Sequence, residues 1–291
     1  MVASIDEKLG QWPAALSLQY RPRETSDPRQ PWEKKLDPRQ EMVSEIGLML
    51  GSRLDLWCKK HSDVAPENIL IYRDGVSEGQ YEAVLEMELK RMQAYCANYY
   101  FKRNQYPPRF TLIVVAKRHH TRFFAPDIDK KTGLPNINKK TNLPNIDKKT
   151  GLPNKVNPVN GTVVDTGVTD DQTWDFFLQS HTAVQGTARP AHYIVLLNQI
   201  FGNIRDGPKY CMNTADVVER ITHNMCYMYS RATKAVSYCP AAYYADRACE
   251  RGRVYLSRFF NRNPTLEGPP ELATDDDIKV KEPLTDAMFY I

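Results

Sequence analysis

Two short apolar runs, Asn68-Ile-Leu-Ile-Tyr72 and Phe110-Thr-Leu-Ile-Val-Val115, flank a segment whose apolar residues recur at helical spacing. This order restricts the fold more than any other feature. A continuous run of branched and aromatic side chains suits a strand buried on both faces, and a helix between two such strands is the crossover that joins them in parallel. The helix opens at Ser77-Glu-Gly-Gln80, which has capping-box form, and carries Tyr81, Leu85, Met92, Cys96 and Tyr99 on one side. Upstream, Ala14–Leu18 reads as a strand. Pro38–His61 reads as a long helix with Met42, Ile46, Met49, Leu50, Leu54 and Trp57 on one face. Downstream, Trp174–Leu178 and Tyr193–Leu197 read as further strands. Asn213 caps a helix with Val217, Ile221, Met225 and Met228 inward. Pro240 opens the next helix, which runs to about Phe259, and Ala287–Ile291 is apolar enough to pack against the body. The expectation is an α/β fold with a largely parallel sheet.

A chain of 291 residues with 42% hydrophobic and 25% charged residues can bury a sizeable core and reads as a soluble globular protein. No run approaches the roughly 18 apolar residues of a membrane span, so no membrane partner is expected. Met1–Asp6 has neither the basic flank nor the apolar stretch of a signal peptide. The six cysteines, Cys58, Cys96, Cys211, Cys226, Cys239 and Cys249, form no Cys-x-x-Cys pair and no zinc spacing. Reduced thiols in an intracellular chain are expected. The expected location is cytoplasmic, with the nucleus as the alternative.

One segment stands apart. Ile128-Asp-Lys-Lys-Thr-Gly-Leu-Pro-Asn136 recurs as Ile137–Asn145 and Ile146–Asn154. Each nonapeptide has one Ile and one Leu, too little to bury a face, so the segment reads as a solvated, linker-like loop expanded by duplication. The alternative is a lysine-rich arm touching RNA phosphates. Residues 127–160 hold seven lysines against three aspartates, which leaves 32 basic against 32 acidic residues elsewhere. The whole formal charge of +4 therefore falls in this segment.

The candidates for chemistry are carboxylates and a basic cluster. Asp74 directly follows a buried strand, where ligands of open α/β sheets gather, although a turn aspartate capping the next helix fits the position as well. Asp246 shares a helix with Glu250 and Arg253, and an exposed ion pair would explain it. Glu41 begins a helix, where the dipole alone favours a carboxylate. Carboxylates that converge are what a two-metal phosphodiester site requires. Lys117-Arg118-His119-His120-Thr121-Arg122 follows the second buried strand and forms a phosphate-binding candidate. His181, Gln185, Arg189, Arg231, Ser237, Tyr243 and Arg251 add donors.

At these residues the chain resembles the PIWI domain of the Argonaute/Piwi family. The likeness rests on Tyr72-Arg-Asp-Gly-Val-Ser-Glu-Gly-Gln80, Ile113-Val-Val-Ala-Lys-Arg-His-His-Thr-Arg122, Gly161-Thr-Val-Val-Asp-Thr166, Ser180–Pro190 and Pro240-Ala-Ala-Tyr-Tyr-Ala245. It covers nearly the whole chain except the repeat and Thr265–Pro283. The insert and Asp246 look more like fungal members than animal ones. The resemblance implies an RNase H-like α/β domain, a mixed sheet flanked by helices, with residues 1–291 as a partial PIWI domain lacking its first central strand. Residues 127–160 are then an insertion, and 265–283 an acidic, Pro-rich loop. A buried sheet edge left unpaired is destabilising, so the chain is expected to behave poorly alone.

The resemblance further implies guide-directed recognition of RNA, with cleavage by two Mg²⁺ ions in competent members. Asp74 and Asp246 take metal-binding catalytic positions. Glu41 takes that of a mobile glutamate, with Glu24 as rival. The family's first aspartate lies in a Gly-x-Asp-x-Thr-His-Pro strand upstream of the region matched, and Asp165 falls outside the catalytic set. Lys117, Arg118, His120, Arg122, His181, Gln185, Arg189, Tyr229, Arg231, Ser237, Tyr243 and Arg251 occupy guide-contacting positions, with the carboxylate end at Ile291 as a further contributor. The implied partners are a small guide RNA, a complementary target RNA, the N-terminal, PAZ and MID portions of an Argonaute, and silencing-complex proteins. Three readings follow: an RNA-binding module that does not cut, a Mg²⁺-dependent guide-directed endoribonuclease if the first aspartate is supplied, and an inactive truncated paralogue. The first is preferred, because three carboxylates do not replace a four-position site.

Overall fold

The computed structural model describes residues 1–24, 32–36, 42–129, 134–138, 140, 143–147, 149, 151–202, 213–257 and 273–291. The chain opens with a hairpin of β1 (Tyr20–Glu24) and β2 (Trp32–Leu36), followed by α1 (Ile46–Lys60) and β3 (Asn68–Asp74). A continuous helical stretch then runs from a 3₁₀ turn at Glu78–Gln80 through α2 (Tyr81–Ala83) and a π turn at Val84–Leu89 into α3 (Lys90–Phe101). It is followed by β4 (Arg109–Ala116), β5 (Ala125–Pro126), β6 (Lys155–Val156), β7 (Thr162–Val164), β8 (Trp174–Gln179) and β9 (Ala191–Asn198). The helices α4 (Thr214–Met225) and α5 (Pro240–Tyr255) close the body. Asn213 caps α4 through a capping box and Pro240 occupies the first turn of α5, as expected.

The main sheet has the order β3-β4-β9-β8-β7. It is mixed. Only β3 and β4 are parallel, and the other three pairings are antiparallel, which corrects the largely parallel expectation. A parallel pair needs a long crossover, and the helical stretch after β3 supplies one. The short links between β7, β8 and β9 admit only antiparallel neighbours.

Residues of β4 alternate between two cores, because successive side chains of a strand point to opposite faces. Ile113 and Val115 pack with Phe176, Leu178, Tyr193 and helices α4 and α5. Phe110, Leu112 and Val114 pack with α1 and α3 through Leu50, Leu54, Met92 and Cys96. The C-terminal segment is tied down, with Tyr290 3% exposed and its hydroxyl donating to the Trp12 carbonyl.

Other expectations change. Ala14–Leu18 is no strand: Ala14 forms a single bridge to Val2, and the Leu18 N–H donates to the Asp275 carboxylate. The long helix starts at Ile46 instead of Pro38, after turns at 42–45. The wider π turn moves the inward face from Leu85 to Val84 and Glu88. Met228 lies beyond α4 and is exposed. Within 273–283 the loop contains a short helix, Asp275–Ile278. Among the described residues of the repeat, isolated bridges join Ile128 to Pro135, Ile137 to Pro144 and Ile146 to Pro153. The described cysteines are free thiols, while Cys211 lies outside the described residues. No helix among the described residues is long and apolar enough to cross a membrane.

Among the described residues β3 has no strand on its second edge. That edge borders a cavity of about 1440 Å³, lined by Asn68–Asp74, by Met1–Ser4, by Ile46, Leu50 and Arg53 of α1, and by Ala241 and Ala245 of α5.

Candidate nucleic-acid and metal site

The site begins with strand register. Asp74, the last residue of β3, lies opposite Val115 in the parallel partner. Both strands therefore end on the same side, and the chain leaving β4 delivers Lys117 and Arg118 beside Asp74. Gly75 takes φ +79°, a conformation that L side chains rarely adopt, and so lets the chain turn sharply away. Helix α5 lines the cavity with Ala241, Ala242 and Ala245, small residues that allow close approach, and brings Asp246 to its rim. Asp74, Asp246, Lys117, Arg118, Arg189 and Tyr238 all line this one cavity. Asp74 and Asp246, far apart in sequence, line the same cavity.

Electrostatics bear this out. Burial raises the Asp74 carboxyl above its ordinary 3.8, and the Asp246 charge raises it further. The Gly75 hydrogen bond, Arg73 and Arg118 oppose that rise. Burial beside Arg189 lowers Lys117 to about 8. Its ammonium sits 5.2 Å from the Tyr238 ring centroid. Burial, then Lys117, lowers His181.

The raised Asp74 gives a stability prediction. The folded chain favours its protonated form, so this contribution is present at low pH and is lost as pH rises through the folded pKa. Asp74→Asn is expected to raise the Tm at pH 7 without Mg²⁺, with the gain shrinking as pH falls toward 4. A Tm series over that range checks it, and a lower Tm at pH 7 would contradict it.

The remaining expected residues divide. His120, Arg118, Arg189 and Gln185 are exposed, as are Arg231 and Arg251, and Ser237 is half-buried. Arg251 does not line the cavity. His119 turns inward, its Nε2 2.9 Å from the Pro190 carbonyl, and leaves His120 as the outward histidine. Arg122 donates to the His119 and Thr121 carbonyls at 3.1 and 2.6 Å, so part of its guanidinium braces its own loop. Tyr243 stacks on Tyr238 with centroids 4.9 Å apart. Tyr229 is 7% exposed and packs on Tyr243 and Tyr244 at 4.5 and 5.0 Å. These ring contacts leave Tyr229 with little accessible surface. Asp165 is exposed and outside the cavity. Glu41 lies outside the described residues, and Glu24 is the last residue of β1.

Glu88 escaped the sequence reading. It is 1% exposed and holds Arg73 through both carboxylate oxygens, at 2.8 and 2.9 Å. It also accepts the Val43 N–H at 2.8 Å. Glu88 thus ties the segment entering α1 to the end of β3. Its signal was a lone charge three residues after Leu85 and four before Met92, inside an apolar face.

Among the described residues no group of three or more His, Cys, Asp or Glu side chains is arranged to hold a metal ion. Asp74 and Asp246 still suit Mg²⁺ in type, since this hard cation keeps several waters and is commonly held by one or two carboxylates plus substrate phosphates.

With this geometry, the chain matches the Piwi domain model over residues 32–257. It belongs to the Piwi-domain family. It is 34% identical over 260 residues to protein argonaute 7 of Arabidopsis thaliana, covering 87% of this chain and 22% of that protein. It is 39% identical over 196 residues to protein argonaute 5 of the same plant, covering 66% and 16%. Among solved structures it is similar to the C-terminal lobe of a budding yeast Argonaute, with TM-score 0.70, 25% identity, and coverage of 100% of this chain and 49% of that one. It is also similar to Kluyveromyces polysporus Argonaute with a guide RNA, with TM-score 0.73, 26% identity, and coverage of 100% and 28%. This Piwi domain spans about a fifth of the length of the curated relatives it matches. Its mixed α/β sheet is of the RNase H-like kind found in Argonaute PIWI domains.

Proposed function

We propose that this Piwi domain binds a small guide RNA and its complementary target RNA as the C-terminal part of an Argonaute acting in RNA silencing, and that these residues bind without cutting. The observation that supports this best is the shared carboxyl end of β3 and β4, which sets Lys117 and Arg118 against Asp74 and Asp246 in one cavity. Lys117, Arg118 and Arg189 hold phosphates of the strand. His120, His181 and Gln185 add hydrogen bonds along it, and Tyr243 offers a ring face.

Asp74 and Asp246 are the residues that would hold Mg²⁺. Bound there, the ion supplies charge stabilisation at phosphate oxygens and an activated water. Two carboxylates are too few for a two-metal site, so cleavage belongs to a form in which the glutamate and the first aspartate join them. Among the described residues the second edge of β3 is unpaired, which favours this second reading, since a strand added there would bring its carboxylate beside Asp74.

The test uses the lowered pKa of Lys117. A phosphate favours the charged ammonium, so above pH 8 binding must first recover a proton. Affinity for a labelled single-stranded RNA is expected to fall about tenfold more between pH 7 and pH 9 in the parent chain than in Lys117→Gln. Equal pH profiles for the two would remove Lys117 from the interface.

A further inference from the structure

Three buried hydroxyls hold the chain between α4 and α5, residues 226–239. A backbone bond from the Val236 N–H to the Cys226 carbonyl, at 2.9 Å, closes this loop. Just past β8, the Ser180 hydroxyl donates to the Val236 carbonyl at 2.6 Å. On β9, the Tyr193 hydroxyl accepts the Cys239 N–H at 3.0 Å. Both side chains are fully buried. Tyr193 is itself fixed in place: Phe176 stacks on its ring at 5.1 Å, and Tyr72 meets it edge-on at 6.4 Å. The third hydroxyl is that of Tyr244, which is 1% exposed and reaches back from α5 to accept the Ser230 N–H at 2.8 Å. Its own proton goes to the Met228 carbonyl or the Ser230 hydroxyl, at 3.3 and 3.2 Å.

These bonds bracket the residues that face the groove. Ser237 and Tyr238 are the two residues between Val236, which Ser180 anchors, and Cys239, which Tyr193 anchors. So short a span keeps little conformational freedom once both of its ends are held. It sets the Tyr238 ring 5.2 Å from the Lys117 ammonium and 4.9 Å from the Tyr243 ring, in the lining of the Asp74 cavity. Arg231 is exposed and follows directly on Ser230, which Tyr244 holds. Ser180 leads straight into His181. The three hydroxyl-bearing side chains lie too deep to touch a ligand, and each acts on the backbone of this one loop. A buried peptide group needs a partner for stability alone. Here the partnered groups flank Arg231, Ser237 and Tyr238, and a loop ordered in advance does not spend binding energy on becoming ordered.

We infer that Ser180, Tyr193 and Tyr244 are positioning residues for RNA, whose hydroxyls hold Arg231, Ser237 and Tyr238 in place before the strand arrives. The inference rests on the RNA-binding reading of the groove, and its test separates the two. Ser180→Ala, Tyr193→Phe and Tyr244→Phe each remove one oxygen. Tyr100→Phe is the control: Tyr100 is 1% exposed and donates to the Pro66 carbonyl at 2.6 Å, in the core on the other face of the sheet. Fluorescence anisotropy with a labelled single-stranded RNA is measured across a salt series on the full chain, at a temperature where every variant is folded. Hydrogen exchange read by mass spectrometry follows the 226–239 amides. In each of the three variants the Kd is expected to rise about tenfold, the cost of ordering one or two side chains on binding. The slope of log K against log salt is expected to stay as in the parent, because no charged contact is lost. Exchange in 226–239 is expected to quicken about tenfold while the β3 and β4 amides keep their protection. Tyr100→Phe is expected to melt lower and to keep the parent Kd. A Kd within about twofold of the parent in the three variants would leave the hydroxyls a purely structural role and overturn the inference. An equal loss of affinity in Tyr100→Phe would assign the effect to general destabilisation and overturn it too. If Lys117→Gln with Arg118→Gln abolishes binding while the hydroxyl variants bind as the parent does, the groove reading stands and only this inference falls. A parent chain that binds no RNA overturns both.

Discussion

Glu88→Ala is expected to remove about 3–5 kcal/mol of folding stability. The carboxylate is fully enclosed, and three donors converge on it: two from the Arg73 guanidinium and the Val43 N–H. Truncation removes a buried counter-charge from Arg73, whose side chain is only 18% exposed, and leaves Val43 without its acceptor. A cavity is left in the apolar face between Val84 and Met92. Urea unfolding followed by far-UV circular dichroism checks the value. Glu88→Gln retains the volume and one acceptor oxygen, so it is expected to lose less. A loss below 1 kcal/mol in Glu88→Ala would mean that Arg73 and Val43 find other partners. Arg73 immediately precedes Asp74, so the same variant is expected to weaken Mg²⁺-dependent stabilisation.

Replacing Lys117, Arg118 and Arg189 together by Gln is expected to weaken RNA binding about 100-fold at 0.1 M salt and to shallow the salt slope by roughly 2. The three cations line one cavity, and burial, then the Arg189 charge, lowers Lys117 to about 8. The repulsion between Lys117 and Arg189 is relieved when a phosphate enters, so the pair is poised for an anion. Removing it should relax the protein, and the triple variant is expected to melt no lower than the parent. Anisotropy titrations across salt, with thermal melts alongside, read both effects. Undiminished affinity would move the RNA path away from β3 and β4.

The fold was legible where burial on both faces leaves an unbroken apolar run, as in β3, β4, β8 and β9. It was illegible where a paired strand carries no hydrophobic pattern. The Tyr20–Glu24 and Trp32–Leu36 hairpin is written in Arg, Pro, Lys and Glu, with no alternation to detect. The repeat hides its bonds for the same reason: Asn136, Asn145 and Asn154 each donate to the residue nine before them, which no hydrophobic pattern reports. Ala14–Leu18 misled in the opposite sense, because an apolar segment can pack as irregular chain when its polar groups find isolated partners. In the site, Asp74 and the Lys117–Arg122 cluster were visible as residues following buried strands. That Asp246 lines the same cavity as Asp74 depends on how α5 crosses the sheet, which spacing cannot encode. The burial of Tyr229 was not legible, because the motif gives a residue's position along the chain and not the direction of its ring.

As proposed, this Piwi domain holds guide and target RNA but does not cut with Asp74 and Asp246. The most direct measurement incubates the purified chain with a guide RNA, a labelled complementary target and Mg²⁺. Filter retention then reads binding, and a denaturing gel reads strand integrity. The account predicts a target retained on the protein, released in the Lys117, Arg118 and Arg189 triple variant, and intact at full length. A target that is not retained, or one cut opposite the guide with the product lost in Asp74→Ala, would contradict it.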